Sequence, residues 1–362
     1  MKNRIERLRI KLAENELDAF FVSSPENRRY MSGFSGSAGF LIITKDAAVM
    51  ATDFRYVEQA GQQCPDYRVH RISGGMTWLP ELLVELGVKR VGFESGDLTV
   101  AAHQTIINVI KEDAAAKEVI MTSTSQFIDP LRMVKEPEEL ALITRAMEIS
   151  DHAFQVVTPL IEVGDTEQSI AWKMEMVMRE AGAEALAFET IVASGPNSAK
   201  PHHHPSERRI KSGEPIVIDF GARYEGYNSD MTRTICLGEP DETFRIVYDT
   251  VLAAQQTASN TVLPTMTSAE ADSIARDIIE QAGYGEQFGH SLGHGIGLAV
   301  HEYPRVGPRS DDPLVDGTVF TIEPGIYIPG WGGVRIEDTV IMEGGSVRSL
   351  TTSHKHENPC KG

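Results

Sequence analysis

Residues 215–237, PIVIDFGARYEGYNSDMTRTICL, are two β-branched, apolar runs separated by Tyr224-Glu225-Gly226, where glycine relieves the backbone of a turn. The pattern predicts an antiparallel hairpin, and a turn centred on that tripeptide sets Asp219 roughly opposite Asp230. Opposed residues on antiparallel strands share one face, with Cβ atoms about 5 Å apart. Two carboxylates so placed in an apolar hairpin repel each other and resist desolvation. A cation held between them resolves the conflict.

A second stretch, residues 318–342 (TVFTIEPGIYIPGWGGVRIEDTVIM), repeats the arrangement. Folding it about Gly330 in the turn Pro329–Gly333 sets Glu323 against Glu337. Between the hairpins, residues 289–304 (GHSLGHGIGLAVHEYP) are dense in histidine and glycine and offer His294 as a nitrogen ligand. Two Asp, two Glu and one His make a hard, oxygen-rich set suited to Mn, Co, Fe or Zn. Four carboxylates balance the charge of two divalent ions, so the pattern predicts a two-metal site. A lone Asp at a strand end is more often a turn-former or helix cap; pairing across a hairpin, repeated and joined by His294, reverses that reading.

GHGIG also suggests a phosphate loop, but it lacks both the strand-loop-helix register and the lysine of one. His290 and His301 flank His294 closely enough to share a helical turn or the adjoining loop with it. The run Pro201-His202-His203-His204-Pro205 lies deep within the chain and is no tag, and the SGPNSAKPH preceding it has the turn chemistry of an active-site loop. We place His202 in the site; which of the three histidines points inward stays open.

The chain has 362 residues, enough for two domains, and 41% hydrophobic and 24% charged residues, as in a globular protein. A formal charge of −18 argues against a nucleic-acid binder, which needs a basic face. No apolar run reaches the roughly 20 residues of a membrane span, and the N-terminus shows no signal-peptide core. Cys64, Cys236 and Cys360 are too far apart in sequence for a disulfide framework. A cytoplasmic protein is expected.

Residues 1–129 alternate helix and strand patterns, an α/β domain with a mixed sheet. Ile5, Leu8 and Leu12 mark a first amphipathic helix. Strands are expected at 19–22, 39–44, 48–51 and 88–93, helices at 78–86 and 99–111, and a small-residue loop at 27–39. A boundary near 129–137 opens a second domain, 130–362, expected to be α+β with helices packed on one antiparallel sheet. Its helices are read at 138–157, from the capping pattern Asp165-x-x-Gln168 to before Gly182, and from Thr267-x-x-Glu270 to before Gly283. The tail TTSHKHENPCKG lacks a closing apolar segment and is expected to fray.

The chain resembles, nearly end to end, the metal-dependent proline peptidases of the pita-bread fold, namely prolidase (Xaa-Pro dipeptidase) and aminopeptidase P. NRRYMSGFSGSAGFLIIT and TDFRYVEQA look like their creatinase-type N-terminal domain, and IVASGPNSAKPHHHPS like their histidine-bearing loop. IDFGARYEGYNSDMTRT, HSLGHGIGLAVHEYP and TIEPGIYIPGWGGVRIED look like their metal motifs. The resemblance implies that Asp219 chelates one of two ions, that Asp230 and Glu337 bridge both, and that His294 and Glu323 bind the other. It implies manganese first, with cobalt, zinc or iron as alternatives, and a homodimer acting on small proline-containing peptides.

It further implies a metal-bridging hydroxide as nucleophile, with Glu323 shuttling its proton, and His202 and His301 donating to the oxyanion. Substrate-side roles fall to His290 nearby, to Arg335 bracing the carboxylates, and to Arg305 receiving the product-side carboxylate, the last weighed equally against a solvated surface arginine. Prolidase is the first reading and aminopeptidase P the alternative; a catalytically inactive pita-bread binding module is the alternative of another class. Methionine aminopeptidase shares the ligand set but does not fit an N-terminal domain of this length.

Overall fold

Ala19–Val22 is buried at every position, which calls for neighbours on both edges and cover on both faces. The computed structural model describes residues 1–356, and the chain divides into two units, Met1–Arg132 and Met133–Gly362. In the first, β1 (Ala19–Val22), β2 (Phe40–Thr44), β3 (Ala48–Thr52), β4 (Arg68–Arg71), β5 (Arg90–Glu94) and β6 (Ile120–Thr124) form one sheet in the order β4-β3-β2-β1-β5-β6. β1 runs antiparallel to β2 and parallel to β5, the mixed sheet expected. Helices α1 (Lys2–Glu14), α2 (Pro25–Ser32), α3 (Val57–Gln63), α4 (Leu79–Glu85) and α5 (Val100–Glu112) accompany it, and α6 (Asp129–Met133) runs across the division in sequence.

The expected loop over residues 27–39 begins instead inside helix α2. Ser24 Oγ accepts from the Asn27 amide at 3.3 Å, Pro25 fills the first turn, and Gly33 at φ 78° ends the helix. Three of its polar residues, Asn27, Arg28 and Ser32, are buried, so apolar periodicity does not mark the helix.

The second unit packs α7 (Pro137–Val157), α8 (Glu167–Glu180), α9 (Glu242–Thr261) and α10 (Ser268–Gln281) around antiparallel strands. Ile143, Ala146, Met147, Ser150, Ala153, Phe154 and Val157 bury one stripe of α7; each large apolar side chain so buried stabilises by roughly 1.5–3 kcal/mol. The cap of α8 is Thr166, whose Oγ1 accepts from Ser169 N at 3.1 Å, one residue later than the Asp165 pattern indicates. α10 opens on the expected Thr267–Glu270 capping box.

Thirteen strands are found among the described residues of this unit. They are β7 (Ala185–Leu186), β8 (Ile191–Ser194), β9 (Pro215–Phe220), β10 (Ala222–Tyr224), β11 (Tyr227–Asn228), β12 (Met231–Cys236), β13 (Gly293–Gly295), β14 (Glu302–Val306), β15 (Val319–Ile322), β16 (Gly325–Ile328), β17 (Gly332–Arg335), β18 (Asp338–Glu343) and β19 (Ser346–Ser349). They form four ladders, β12-β9-β8, β11-β10-β7, β14-β13-β15-β18-β19 and β16-β17, rather than the one sheet expected. The interruptions are local: Gly221, Ser229-Asp230, Glu323-Pro324 and Ile336-Glu337 are the residues that drop out of the two hairpins. Acidic side chains thus sit where the ladders break.

In the first hairpin, Tyr224 pairs with Tyr227 around Glu225-Gly226, both at positive φ, a two-residue turn. The same register puts Thr232, not Asp230, opposite Asp219. The expected pairing is therefore two residues out, and because side chains alternate with period two, Asp219 and Asp230 still share a face. In the second hairpin Gly325 pairs with Arg335 and Ile322 with Asp338, so Glu323 faces Glu337 as the turn at Gly330 implies.

The expected fraying of the tail is not found over residues 351–355. Asp151 of α7 accepts from Thr352 N (2.9 Å) and Oγ1 (2.7 Å) and from Ser353 N (2.8 Å) and Oγ (2.6 Å). The buried Arg233 guanidinium donates to the carbonyls of Ser353 and His354. Hydrogen bonding to a buried acid and a buried base replaces the missing apolar anchor. Residues 357–362, with Cys360, lie outside the described residues.

Candidate metal centre

Each acid is set by its own strand end. Ser150 of α7 shares its hydroxyl with Ser229 Oγ at 2.8 Å, and the Ala222 amide donates to Ser229 Oγ at 2.8 Å, fixing the backbone beside Asp230. The Glu337 amide donates to Thr232 O at 3.0 Å, and Thr232 Oγ1 donates to Glu337 Oε2 at 2.7 Å, joining the two hairpins. The Glu323 amide donates to Leu292 O at 2.8 Å, and the His294 amide to Thr321 Oγ1 at 3.1 Å, which sets β13 beside β15. A Cβ on Gly293 would lie 1.9 Å from Thr321 O, so only glycine allows the strands this close beside His294.

The side chains converge. Asp230, His294 and Glu337 each place a ligand atom within 4.8 Å of the others. His294 Nε2 lies 3.6 Å from Asp230 Oδ2 and 3.3 Å from Glu323 Oε1. Asp219 is drawn in through Arg335, whose NH2 donates to Asp219 Oδ2 at 2.6 Å. The same guanidinium donates to Thr232 Oγ1 at 3.0 Å and to Tyr327 Oη at 2.9 Å.

Electrostatics mark the cluster as incomplete without a cation. Burial, then Glu337, Asp219 and Glu323, push the Asp230 carboxyl well above its ordinary range. Burial, then Glu323 and Asp219, do the same to Glu337. Burial raises Glu323 to about 8 against the pull of Arg335. Burial and then His301 lower His294 to about 3, so the imidazole stays neutral beside the acids, the form that ligates metal. Asp219 Oδ1 and Glu337 Oε1 are buried with no hydrogen-bond partner among the described residues. Orphaned carboxylate oxygens are costly to bury, and a cation answers both. The four carboxylates and the neutral imidazole fit a hard divalent ion.

His290 and His301 lie in the loops on either side of β13, not on a shared helical turn. His301 stacks edge-on against His294 at 4.2 Å between ring centres. His290, lowered to about 4 by burial and then Arg335, bonds Tyr327 Oη at 3.0 Å and Ser291 O at 2.8 Å. Of the histidine run, His203 Nε2 is on Glu167 at 2.9 Å and His204 Nδ1 on Glu189 at 3.0 Å. His202, between Pro201 and His203, is exposed on the same loop. Arg305 is exposed, opposite His294 in the β13–β14 register, with Nε donating to Ser291 Oγ at 3.1 Å.

Tyr327, Thr232 and Ser229 were not expected here. The hairpin register singles out Thr232 as the residue opposite Asp219, but Tyr327 joins Arg335 to His290 through contacts that no local spacing encodes.

Residues 141–343 match metallopeptidase family M24, and residues 4–134 match the creatinase/prolidase N-terminal domain. The Xaa-Pro dipeptidase of Pyrococcus furiosus is 40% identical over 98% of this chain and 99% of its own. The solved Xaa-Pro dipeptidase from Bacillus anthracis superposes with a TM-score of 0.94 at 40% identity, covering 99% of both chains. The X-Pro aminopeptidase from Thermotoga maritima does so with a TM-score of 0.87 at 38% identity, covering 98% of this chain and 99% of its own. No helix among the described residues is long and apolar enough to cross a membrane. The chain is a pita-bread metallopeptidase of family M24 carrying a creatinase-type N-terminal domain, and such peptidases work with divalent metal ions.

Proposed function

We propose that the chain is an Xaa-Pro dipeptidase working with two divalent ions, manganese in the first place, held by Asp219, Asp230, His294, Glu323 and Glu337. The observation that carries the reading is the convergence of Asp230, His294 and Glu337 on one point beside two orphaned carboxylate oxygens. The names of the P. furiosus and B. anthracis relatives supply the substrate class.

An Xaa-Pro bond is a tertiary amide whose nitrogen lacks a hydrogen and must be protonated to leave. Bound divalent ions supply Lewis acidity, lowering the pKa of water and polarising the scissile carbonyl. Glu323, at the edge of the cluster beside His294, is suited to pass a proton from Oε1 toward the leaving nitrogen. His301, beside His294, and His202 donate to the developing oxyanion; loss of such a donor lowers the rate by about 10²–10³. Arg335 holds Asp219, His290 and Tyr327 wall the site, and the exposed Arg305, on the strand position facing His294, receives the substrate's terminal carboxylate. Two buried free thiols, Cys64 and Cys236, suit a reducing cytoplasm, and sizing in solution tests the homodimer that belongs to the same reading.

The experiment offers Ala-Pro and Ala-Pro-Ala to protein loaded with Mn²⁺ or Co²⁺, with metal content measured in parallel. Cleavage of Ala-Pro alone by protein holding about two ions per chain supports the dipeptidase, two being the number that four carboxylates neutralise. Efficient cleavage of the tripeptide supports the second reading, an aminopeptidase, which the likeness to the T. maritima enzyme favours. Protein with no metal and no turnover would be a binding module.

A further inference from the structure

One carboxylate outside the metal cluster gathers the whole histidine loop. Glu167, the first residue of α8, is fully buried. It accepts from Ser194 N and Oγ, both at 2.8 Å, where β8 ends. It accepts from Ser206 N at 3.0 Å and Oγ at 2.6 Å, where the chain returns. Asn197 Nδ2 (3.1 Å) and His203 Nε2 (2.9 Å) donate to it from within the loop. Burial alone would raise the Glu167 carboxyl; hydrogen bonds from Ser206, His203, Ser194 and Asn197 prevail and hold it at about 2.

The loop therefore begins and ends on one anion, and its far side is pinned elsewhere. The Gly333 amide donates to Ser198 Oγ at 2.8 Å, and Arg335 NH1 reaches Pro201 O at 3.4 Å. His202 stands between two held neighbours. Pro201 touches the guanidinium that also holds Asp219, and His203 is committed to Glu167. We infer that Glu167 and His203 are positioning residues, which fix His202 in place on its loop while contacting neither substrate nor metal themselves. The inference rests on the catalytic reading of His202 above. His204 is the internal control, since its contact with Glu189 is exposed on both sides and holds nothing else in place.

The test compares His203→Leu, His203→Gln, which keeps a donor, and His204→Leu in Mn²⁺-loaded protein of equal metal content. We expect His203→Leu to lower kcat/KM for Ala-Pro by about tenfold, as a displaced catalytic group does. His203→Gln and His204→Leu should stay within about twofold of the parent enzyme. In a His202→Ala background, His203→Leu should add less than about twofold, the non-additivity of residues acting through one another. Full additivity, or an unchanged rate in His203→Leu, overturns the inference.

Amide exchange of residues 196–203, faster by about tenfold in His203→Leu, reads the loop without reference to activity. Should the parent enzyme cleave no Xaa-Pro peptide, the functional reading falls by itself, and exchange alone then decides, unchanged protection overturning the inference. If His203→Leu does not fold, Glu167→Gln takes its place with the same expectations.

Discussion

Glu323→Gln should stabilise the metal-free protein and abolish the activity of the Mn²⁺-loaded enzyme. The carboxyl titrates near 4.5 in an ordinary setting and at about 8 in the fold. Between those values the folded chain keeps a proton that the unfolded chain has released, so stability falls as pH rises through that window. At about 1.4 kcal/mol per unit, the loss from this group is roughly 2 kcal/mol at pH 6 and about 4 kcal/mol at pH 8, vanishing below pH 4.5. Gln is uncharged, keeps an acceptor for Thr321 Oγ1, and relieves repulsion on Glu337 and Asp230. For a unit of this size, about 2–4 °C per kcal/mol makes the gain in Tm on the order of 10 °C at pH 8. The assay is differential scanning calorimetry of EDTA-treated parent and variant at pH 5, 6 and 8, repeated with Mn²⁺. The parent should gain more than the variant from Mn²⁺, reversing or closing the difference. A metal-free variant no more stable than its parent at pH 8, or a difference that does not shrink toward pH 5, would refute the reasoning.

Three other substitutions test separate parts of the structure. Asp230→Asn should lower kcat by at least about 10² while far-UV circular dichroism stays that of the parent; retained turnover would count heavily against the two-ion reading. Gly221→Ala places a Cβ 2.0 Å from Ser229 O and should destabilise by about 3 kcal/mol, with weaker Mn²⁺ binding by titration calorimetry because Ser229 adjoins Asp230. Asp151→Ala strips the four donors of Thr352 and Ser353 of their acceptor; urea denaturation should show a loss of about 3 kcal/mol, and an unchanged midpoint would mean that the tail contributes nothing to stability.

The two acid-bearing hairpins are legible in sequence because turn glycines and period-two alternation are local signals. A misjudged turn centre shifted the Asp219 partner from Thr232 to Asp230 yet kept both acids on one face, since a slip of two residues leaves the alternation intact. Glu323 and Glu337 came out directly opposed because Gly330 marks their turn without ambiguity. What local signals miss is bonding between distant residues. His203 joins Glu167 across 36 residues, Tyr327 joins His290 across 37, and the tail joins Asp151 across 201. Helix α2 escapes for a different reason: Ser24 and Pro25 cap it, but the small residues that run from Ser32 to Gly39 read as one loop back to Asn27.

Thr232 and Glu337, which clasp the hairpins together, are 105 residues apart. Neither hairpin alone assembles the proposed donor set, so the chain must close a loop of 105 residues before an ion meets all five donors. Contacts of such separation form late, because closure entropy comes before any reward. Metal uptake should therefore trail the burial of α7 against the first hairpin during refolding, and nascent chains released before residue 337 should leave the ribosome unable to load.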